Sequence, residues 1–260
     1  MSEKIKQYIV ELFQQGKIKA FLGLKDESGH IVPHLFSNAE DLDGLNFGTE
    51  RYPLNKILIQ LYKRYPDVTI GILIRGCDER GLKELYKWNQ LQPEKIIAVG
   101  IACSKEQAEY CECSKPYPDT CISGEQTPGV DNKTVKKIDS LEISERLNYW
   151  LDNFSRCIKC YGCRDICPMC FCNECSLEEV EFIERGKIPP ENPIFHLSRA
   201  VHMAGRCIDC GLCEEACPSI IPLRTLYKKV TDIIEDHFSY RPGYDDGKSP
   251  LNILGPRPEE

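Results

Sequence analysis

The feature that most constrains this chain is a cysteine-rich segment that occurs twice. The segment "SRCIKCYGCRDICP" (155–168) matches "GRCIDCGLCEEACP" (205–218) at an offset of 50 residues. Both copies have the spacing C-x2-C-x2-C-x3-C-P, which is typical of bacterial proteins that bind 4Fe–4S clusters. In such a run three thiolates of one tight loop bind one cluster, and the fourth cysteine binds the other cluster. The fold must therefore bring the two loops close together.

The duplicated spacing predicts two 4Fe–4S clusters with crossed ligands. One predicted ligand set is Cys157, Cys160, Cys163 and Cys217, and the other is Cys207, Cys210, Cys213 and Cys167. A proline follows each fourth cysteine and turns the chain away. Zinc is the alternative, since C-x2-C pairs also bind zinc, but a zinc site needs neither the third cysteine nor the proline.

Composition narrows the class of protein. The chain has 260 residues, 16 cysteines and a formal net charge of −7, so nucleic acid is not an expected partner. The first residues lack the pattern of a signal peptide, and the longest apolar runs are too short to span a bilayer. Clustered cysteines without a secretion signal favour metal binding in a reducing compartment, and we expect a cytoplasmic protein.

The N-terminal half alternates helical and strand patterns. Helical periodicity predicts helices over 5–13, 54–62 and 79–90, and apolar runs predict strands over 18–24, 68–74 and 95–103. Strand–helix–strand order implies parallel pairing, so we predict an α/β domain with a partly parallel sheet over residues 1–139. Residues 104–139 are polar, and we interpret them as a long loop around a site plus a linker.

The C-terminal half has a different character. Apolar residues at helical spacing predict helices over 143–154, 194–201 and 223–234, two of which precede the cysteine runs. We predict a two-cluster domain over 140–238 with an α+β, bacterial ferredoxin-like/helical fold. Residues 239–260, rich in proline and glycine, are predicted to form an extended arm that orders against a partner.

Five further cysteines lie in the N-terminal half. Cys77 and Cys103 each follow a predicted strand, so they are expected at the carboxyl edge of the sheet, where sites in α/β proteins collect. Cys111 and Cys113 come within ten residues of Cys103, so four thiolates can converge on a third cluster. The alternative is that Cys77 and Cys103 are small buried hydrophobic residues.

Three segments of this half resemble a known family. The segments "GTERYPLNKILIQLYKRYPDVTIGILIRGCDERGLKEL", "KIIAVGIAC" and "CECSKPYPDTCISG" are similar to the β subunits of coenzyme F-420 (deazaflavin) hydrogenases and the related formate dehydrogenases. The resemblance covers about residues 15–125. It implies 4Fe–4S clusters and FAD, electron passage between a flavin and a catalytic partner, and a ferredoxin domain as a common companion.

The resemblance also assigns site residues. It places Cys77, Cys103, Cys111 and Cys113 at cluster positions, although this chain has C-x-C where the family has C-x2-C, so Cys121 is an alternative ligand. The retained residues of the family's possible flavin pocket are Gly48, Thr49 and Tyr52. The family's glycine-rich flavin-binding segment precedes the first helix, and this sequence begins at that helix, which argues against FAD.

Three cysteines remain directly after the first run, and they are Cys170, Cys172 and Cys175. A metal site there needs a fourth ligand, for which Cys121, Cys111, His196 and His202 are candidates. The metal is either a zinc ion or a further 4Fe–4S cluster. A free thiol cluster is the remaining alternative, but three unprotected thiols within six residues are prone to oxidation.

These features together favour an electron-transfer protein. The sequence contains no recognisable catalytic triad, carboxylate pair or phosphate-binding loop. We therefore expect an iron–sulfur subunit of an anaerobic oxidoreductase complex, which relays electrons to or from a flavin, molybdenum/tungsten or heterodisulfide-reductase-type subunit. The alternative is a flavin-bearing β subunit that itself oxidises or reduces a deazaflavin or nicotinamide cofactor.

Overall fold

The computed structural model describes residues 2–251 and divides the chain into two compact units. The first unit extends through Asp131 and the second begins at Asn132. Each unit has its own hydrophobic core. None of the helices within the described range combines the length and the apolar character that a membrane crossing requires.

The first unit is an α/β structure around a mixed sheet. Its elements in chain order are α1 (Ser2–Gln14), β1 (Ala20–Glu27), β2 (His30–Phe36), β3 (Leu45–Asn46), α2 (Leu54–Arg64), β4 (Ile70–Ile74), α3 (Gly76–Lys87), β5 (Ile96–Ile101), α4 (Lys105–Cys111) and β6 (Cys121–Ser123). The strand order is β2-β1-β4-β5-β6, with β3 paired to β1. The β1–β4, β4–β5 and β5–β6 pairs are parallel, whereas β2 and β3 run antiparallel to β1.

The apolar strand β4 occupies the centre of this sheet. Its sequence "IGILI" is buried at every position, as expected for a strand with parallel neighbours on both sides. The predicted parallel α/β core is therefore confirmed. The prediction of a single loop over 104–139 is wrong, because α4, β6 and a further helix lie in this segment.

The second unit contains helices and, within residues 132–251, no strands. Its elements are α5 (Lys133–Asp139), α6 (Ile143–Ser155), α7 (Gly162–Asp165), α8 (Ile194–Met203), α9 (Leu212–Glu215) and α10 (Leu223–Phe238). The helical part of the prediction is therefore present, but the predicted β structure of an α+β ferredoxin fold is wrong for residues 132–251. Helix α10 contacts α5, α8 and α9, so it is the central helix of the unit.

The C-terminal segment continues from α10. Its described part, residues 239–251, contains the buried residues Tyr240 and Ser249. Arg241 donates a hydrogen bond to Glu235 of α10 at 2.6 Å, and its backbone N–H donates to Asp245 at 2.6 Å. These residues are thus held by contacts with their own unit. The rest of the predicted arm, residues 252–260, lies outside the described residues.

Candidate metal centres

The two cysteine runs form two loops with the same backbone course. Lys159 and Tyr161 in the first loop have positive φ angles of 52° and 58°, and their equivalents Asp209 and Gly211 have 53° and 75°. These left-handed residues curl each loop around its thiols. The backbone N–H of Lys159 donates to Cys157 Sγ at 3.4 Å. A short helix follows each loop at the same offset, α7 in the first copy and α9 in the second.

The two loops enclose two pockets lined by thiols. The first cysteine pocket is lined by Cys157, Cys160, Cys163 and Cys217. The second cysteine pocket is lined by Cys167, Cys207, Cys210 and Cys213. Each pocket thus combines three cysteines of one run with the last cysteine of the other, which are the two sets named by the crossed assignment.

Burial keeps most of these thiols protonated in the absence of a metal. It raises the pKa of Cys157 to about 11 and that of Cys207 to about 12, and it raises the pKa of Cys213 well above its ordinary value. The pKa of Cys167 is also raised, by a hydrogen bond with Cys170 and by burial. A positively charged metal favours the thiolate form, so binding would release protons from these groups.

Three buried side chains around the pockets have polar atoms without a hydrogen-bond partner in the described part of the chain. Both ring nitrogens of His196 are unpartnered, and His196 lines the first cysteine pocket. Arg199 Nε and the Tyr227 hydroxyl are also unpartnered, and both residues line the second cysteine pocket. Because an unsatisfied buried polar group is costly, each pocket fits an occupant that accepts hydrogen bonds. The sulfur atoms of a 4Fe–4S cluster are such acceptors.

The N-terminal cysteines gather at the carboxyl edge of the sheet. Cys77 lies in the first turn of α3 and Cys103 follows β5, while Cys111 ends α4 and Cys113 follows two residues later. The pKa of Cys103 is raised to about 11, chiefly by burial and also by the nearby Cys113 and Cys111. Cys77 interacts electrostatically with Cys103. Four thiols from separate segments therefore lie in one neighbourhood.

Three arginines surround these four thiols. Arg51 Nη1 lies 3.4 Å from Cys111 Sγ, and Arg80 Nη2 lies 3.8 Å from Cys113 Sγ. The Arg75 guanidinium lowers the pKa of Cys103 against the larger effect of burial. These cations fit a negatively charged occupant such as a thiolate-bound cluster. The sequence analysis did not identify these residues, because nothing in the spacing of the arginines links them to the cysteines.

Cys121 has different surroundings. It lies in β6, and its thiol donates to the Ser123 carbonyl at 3.2 Å.

Within residues 2–251, no arrangement of three or more histidine, cysteine, aspartate or glutamate side chains is suited to holding a single metal ion.

The segment proposed for a flavin pocket packs beside the N-terminal cysteines. Arg75 donates to the carbonyls of Gly48 and Glu50, and Gln107 donates to the Thr49 carbonyl at 3.1 Å. The Tyr52 hydroxyl donates to the Ile31 carbonyl at 2.6 Å. These bonds join the segment to Arg75 and to α4.

The three extra cysteines each lie beside a different arginine. Arg199 Nη1 is 3.1 Å from Cys170 Sγ, and Arg206 Nη1 is 3.9 Å from Cys172 Sγ. Cys175 is hydrogen-bonded with Arg164. Of the two histidines considered as fourth ligands, His196 lines the first cysteine pocket and His202 is exposed on α8.

Comparison with known proteins agrees with these observations. Residues 200–219 match the model of a 4Fe–4S binding domain. The chain is 40% identical over 149 residues to the F420-dependent formate dehydrogenase subunit beta of Methanocaldococcus jannaschii, an alignment that covers 56% of this chain and 39% of the relative. It is 44% identical over 101 residues to the F420-dependent formate dehydrogenase 1 subunit beta of Methanococcus maripaludis, covering 39% of this chain and 26% of that relative.

These alignments cover less than half of each curated relative. The resemblance to the β subunits of deazaflavin-dependent enzymes is nevertheless confirmed at 40% and 44% identity. Parts of the chain are therefore similar to β subunits of F420-dependent formate dehydrogenases, and residues 200–219 match a 4Fe–4S binding domain.

Proposed function

We propose that the chain is an iron–sulfur electron-transfer subunit of an oxidoreductase complex. The observation that carries this proposal is the pair of cysteine pockets, each lined by four thiols from both runs and flanked by unpartnered polar atoms. Clusters held there would accept and release single electrons, and the chain itself would provide their ligands and their hydrogen bonds. Two neighbouring clusters suit electron transfer in series.

The proposal extends to the predicted ligand sets and domains. Residues 140–238 form the two-cluster domain, and a third cluster is bound in residues 1–139 by Cys77, Cys103, Cys111 and Cys113. The Arg51, Arg75 and Arg80 guanidinium groups support this third site because they offset its negative charge. Cys121 is the less suitable ligand, since its thiol is engaged with Ser123.

The extra cysteines are proposed as ligands of a further cluster rather than of a single zinc ion, because no group of three such side chains within residues 2–251 is suited to one metal ion. The guanidinium groups of Arg199, Arg206 and Arg164 beside these thiols would offset the negative charge of a thiolate-bound cluster.

The partner is proposed to be a catalytic subunit with a flavin or a molybdenum/tungsten cofactor, or one of the heterodisulfide-reductase type. Two curated relatives are named as subunits of formate dehydrogenases, which supports an assembly of this kind. The clustered cysteines support action in the cytoplasm, where thiols stay reduced.

The test is anoxic reconstitution of the full chain with iron and sulfide. We expect at least about 12 iron per chain, from the two cysteine pockets and the N-terminal site with four iron each, and bleaching of the visible absorbance by dithionite. Acid release of a stoichiometric flavin would favour the second candidate, a flavin-bearing β subunit. That candidate is supported by the names of the two relatives, which describe both enzymes as F420-dependent.

A further inference from the structure

The two cysteine pockets have different walls, although the loops that supply their thiols are alike. The unpartnered polar atoms come from α8 and α10, which lie outside the repeated segments. Within the described residues, the first pocket has His196 and no charged side chain apart from the thiols in its lining. The second pocket has Arg199 and Tyr227 in its lining, together with the ion pair of Arg224 and Asp209.

Arg199 is the buried cation in the lining of the second pocket. It is 2% exposed, and its Nη1 approaches Cys170 Sγ at 3.1 Å. Its Nη2 donates to the Cys163 carbonyl at 2.7 Å, so it also contacts the backbone of a first-pocket cysteine. Its guanidinium lies over the Tyr227 ring, 5.5 Å from the ring centre, and none of these described partners is a carboxylate.

Tyr227 adds a neutral donor to the same pocket. Burial raises the pKa of its hydroxyl well above the ordinary value, so the group keeps its proton. The hydroxyl oxygen has no partner in the described part of the chain.

His196 in the first pocket is expected to affect the reduction of a bound cluster less than Arg199 does in the second pocket. Its ring stacks on Phe154 at 4.5 Å and contacts the edge of Phe195 at 5.3 Å. Neither ring nitrogen has a hydrogen-bond partner in the described part of the chain, so the ring is placed to donate one N–H to an occupant of the first pocket.

We propose that α8 and α10 set unequal reduction potentials, with Arg199 and Tyr227 making the cluster of the second cysteine pocket the easier one to reduce. This inference rests on the proposed function. Reduction adds one negative charge to a cluster, and a cation or a hydrogen-bond donor beside it stabilises that charge. Arg199 and Tyr227 are positioning residues in this role, since they act on the cluster and not on a substrate.

Solvent exposure favours reduction of the cluster in the first pocket rather than in the second. Cys160 of the first pocket is exposed, whereas three of the four thiols of the second pocket are buried. Water at Cys160 also stabilises added charge, but a buried cation is screened far less than charge at a surface. The exposed cluster would thus exchange electrons with a partner, and the second cluster would hold them.

The experiment is a potentiometric titration of the anoxic, reconstituted full chain, followed by electron paramagnetic resonance. The Cys207→Ser variant identifies the signal of the second pocket. Arg199→Met is expected to lower the equilibrium constant for reduction of that cluster at least tenfold. This corresponds to a fall of about 59 mV in a one-electron reduction potential. Tyr227→Phe is expected to lower it about three- to tenfold, the effect of one hydrogen bond. Arg199→Lys should retain most of the wild-type value.

Two controls separate the inference from general effects. Lys137→Met removes an exposed cation of α5 and should shift neither cluster. His196→Phe should lower the potential of the first cluster and leave the second within twofold. Tyr227→Phe removes one oxygen that has no described partner, so this variant is expected to fold. It therefore tests the inference even when Arg199→Met does not fold.

Each outcome has a distinct meaning. Preferential shifts of the second cluster in Arg199→Met and Tyr227→Phe would support the inference. Equal shifts of both clusters, or none, with full iron content would overturn it while leaving the proposed function intact. A wild-type chain that assembles no cluster would overturn both.

Discussion

A single methyl group at Gly76 should remove the third cluster and leave the other two in place. Gly76 opens α3, directly before Cys77, and the loop after Cys113 passes closely over it. A Cβ at this position would lie 2.5 Å from the Lys115 carbonyl oxygen and 2.9 Å from the backbone N and O of Tyr117. Contacts this short with backbone atoms require the loop to move.

The loop has little freedom to move. Cys103 N–H donates to the Pro116 carbonyl at 2.8 Å, and Arg80 Nη1 donates to the Lys115 carbonyl at 3.1 Å. Overpacking of this kind costs about 1–3 kcal/mol. Alanine regains about 0.5–1 kcal/mol over glycine inside a helix. We therefore expect Gly76→Ala to destabilise the first unit by up to about 2.5 kcal/mol and to move Cys113 away from Cys77.

The assay is iron content after anoxic reconstitution, with far-ultraviolet circular dichroism to verify folding. Gly76→Ala should bind about eight iron in place of about 12, since one cluster of four is lost. Gly247→Ala is the control, because Gly247 is exposed and nothing lies within 4 Å of an added Cβ. Equal iron in the two variants would refute both the close packing at Gly76 and its link to the third site.

Three further predictions follow from the proposed sites. Cys167→Ser should alter the resonance signal of the cluster held by the second run, and an effect confined to the first-run cluster would contradict crossed ligation. Cys77→Ser and Cys103→Ser should each reduce bound iron from about 12 to about eight, whereas unchanged iron would remove the third cluster. The isolated full chain should be reduced by dithionite but show no dye reduction with deazaflavin, NADH or formate, and deazaflavin-dependent turnover with bound flavin would contradict this.

The sequence predicted the regular elements well where periodicity was strong. The helices α1, α2, α6, α8 and α10 and the strands β1, β4 and β5 lie where the apolar patterns place them. Strand β2 was not predicted, because Pro33 interrupts its pattern and five of its seven residues are only partly buried. Proline is tolerated there because β2 is an edge strand.

The segment 104–139 shows why polar sequence alone is a poor guide. Helix α4 begins with a capping box, in which Gln107 N–H donates to Ser104 Oγ and the Gln107 side chain accepts from the Ser104 N–H. The pattern S-x-x-Q is a helix-start signal that the sequence contained. Strand β6 has only three residues and is held by pairing with β5, so no local sequence pattern predicted it.

The cysteines of the candidate sites were visible in the sequence, but the groups around them were not. A ligand run has a fixed spacing because its thiols come from one loop, whereas Arg51, Arg75 and Arg80 reach the N-terminal thiols from different elements. A role for Arg199 was weakly indicated by the sequence, since this residue lies three residues after His196 on the apolar face of α8. A cation on such a face needs a buried partner, and the sequence does not say which one.

The duplicated runs and the unequal pockets have separate origins in the chain. The repeat determines the positions of the thiols, and its left-handed residues recur at equivalent positions in both loops. The walls come from α8 and α10, which are not copies of each other, so His196 lies in one pocket and Arg199 and Tyr227 in the other. Two equal loops alone would give two clusters of similar potential, and electrons would have no preferred position. Because the unequal walls belong to single helices, substitutions there would change the proposed direction of electron flow while the eight proposed ligand cysteines stay unchanged.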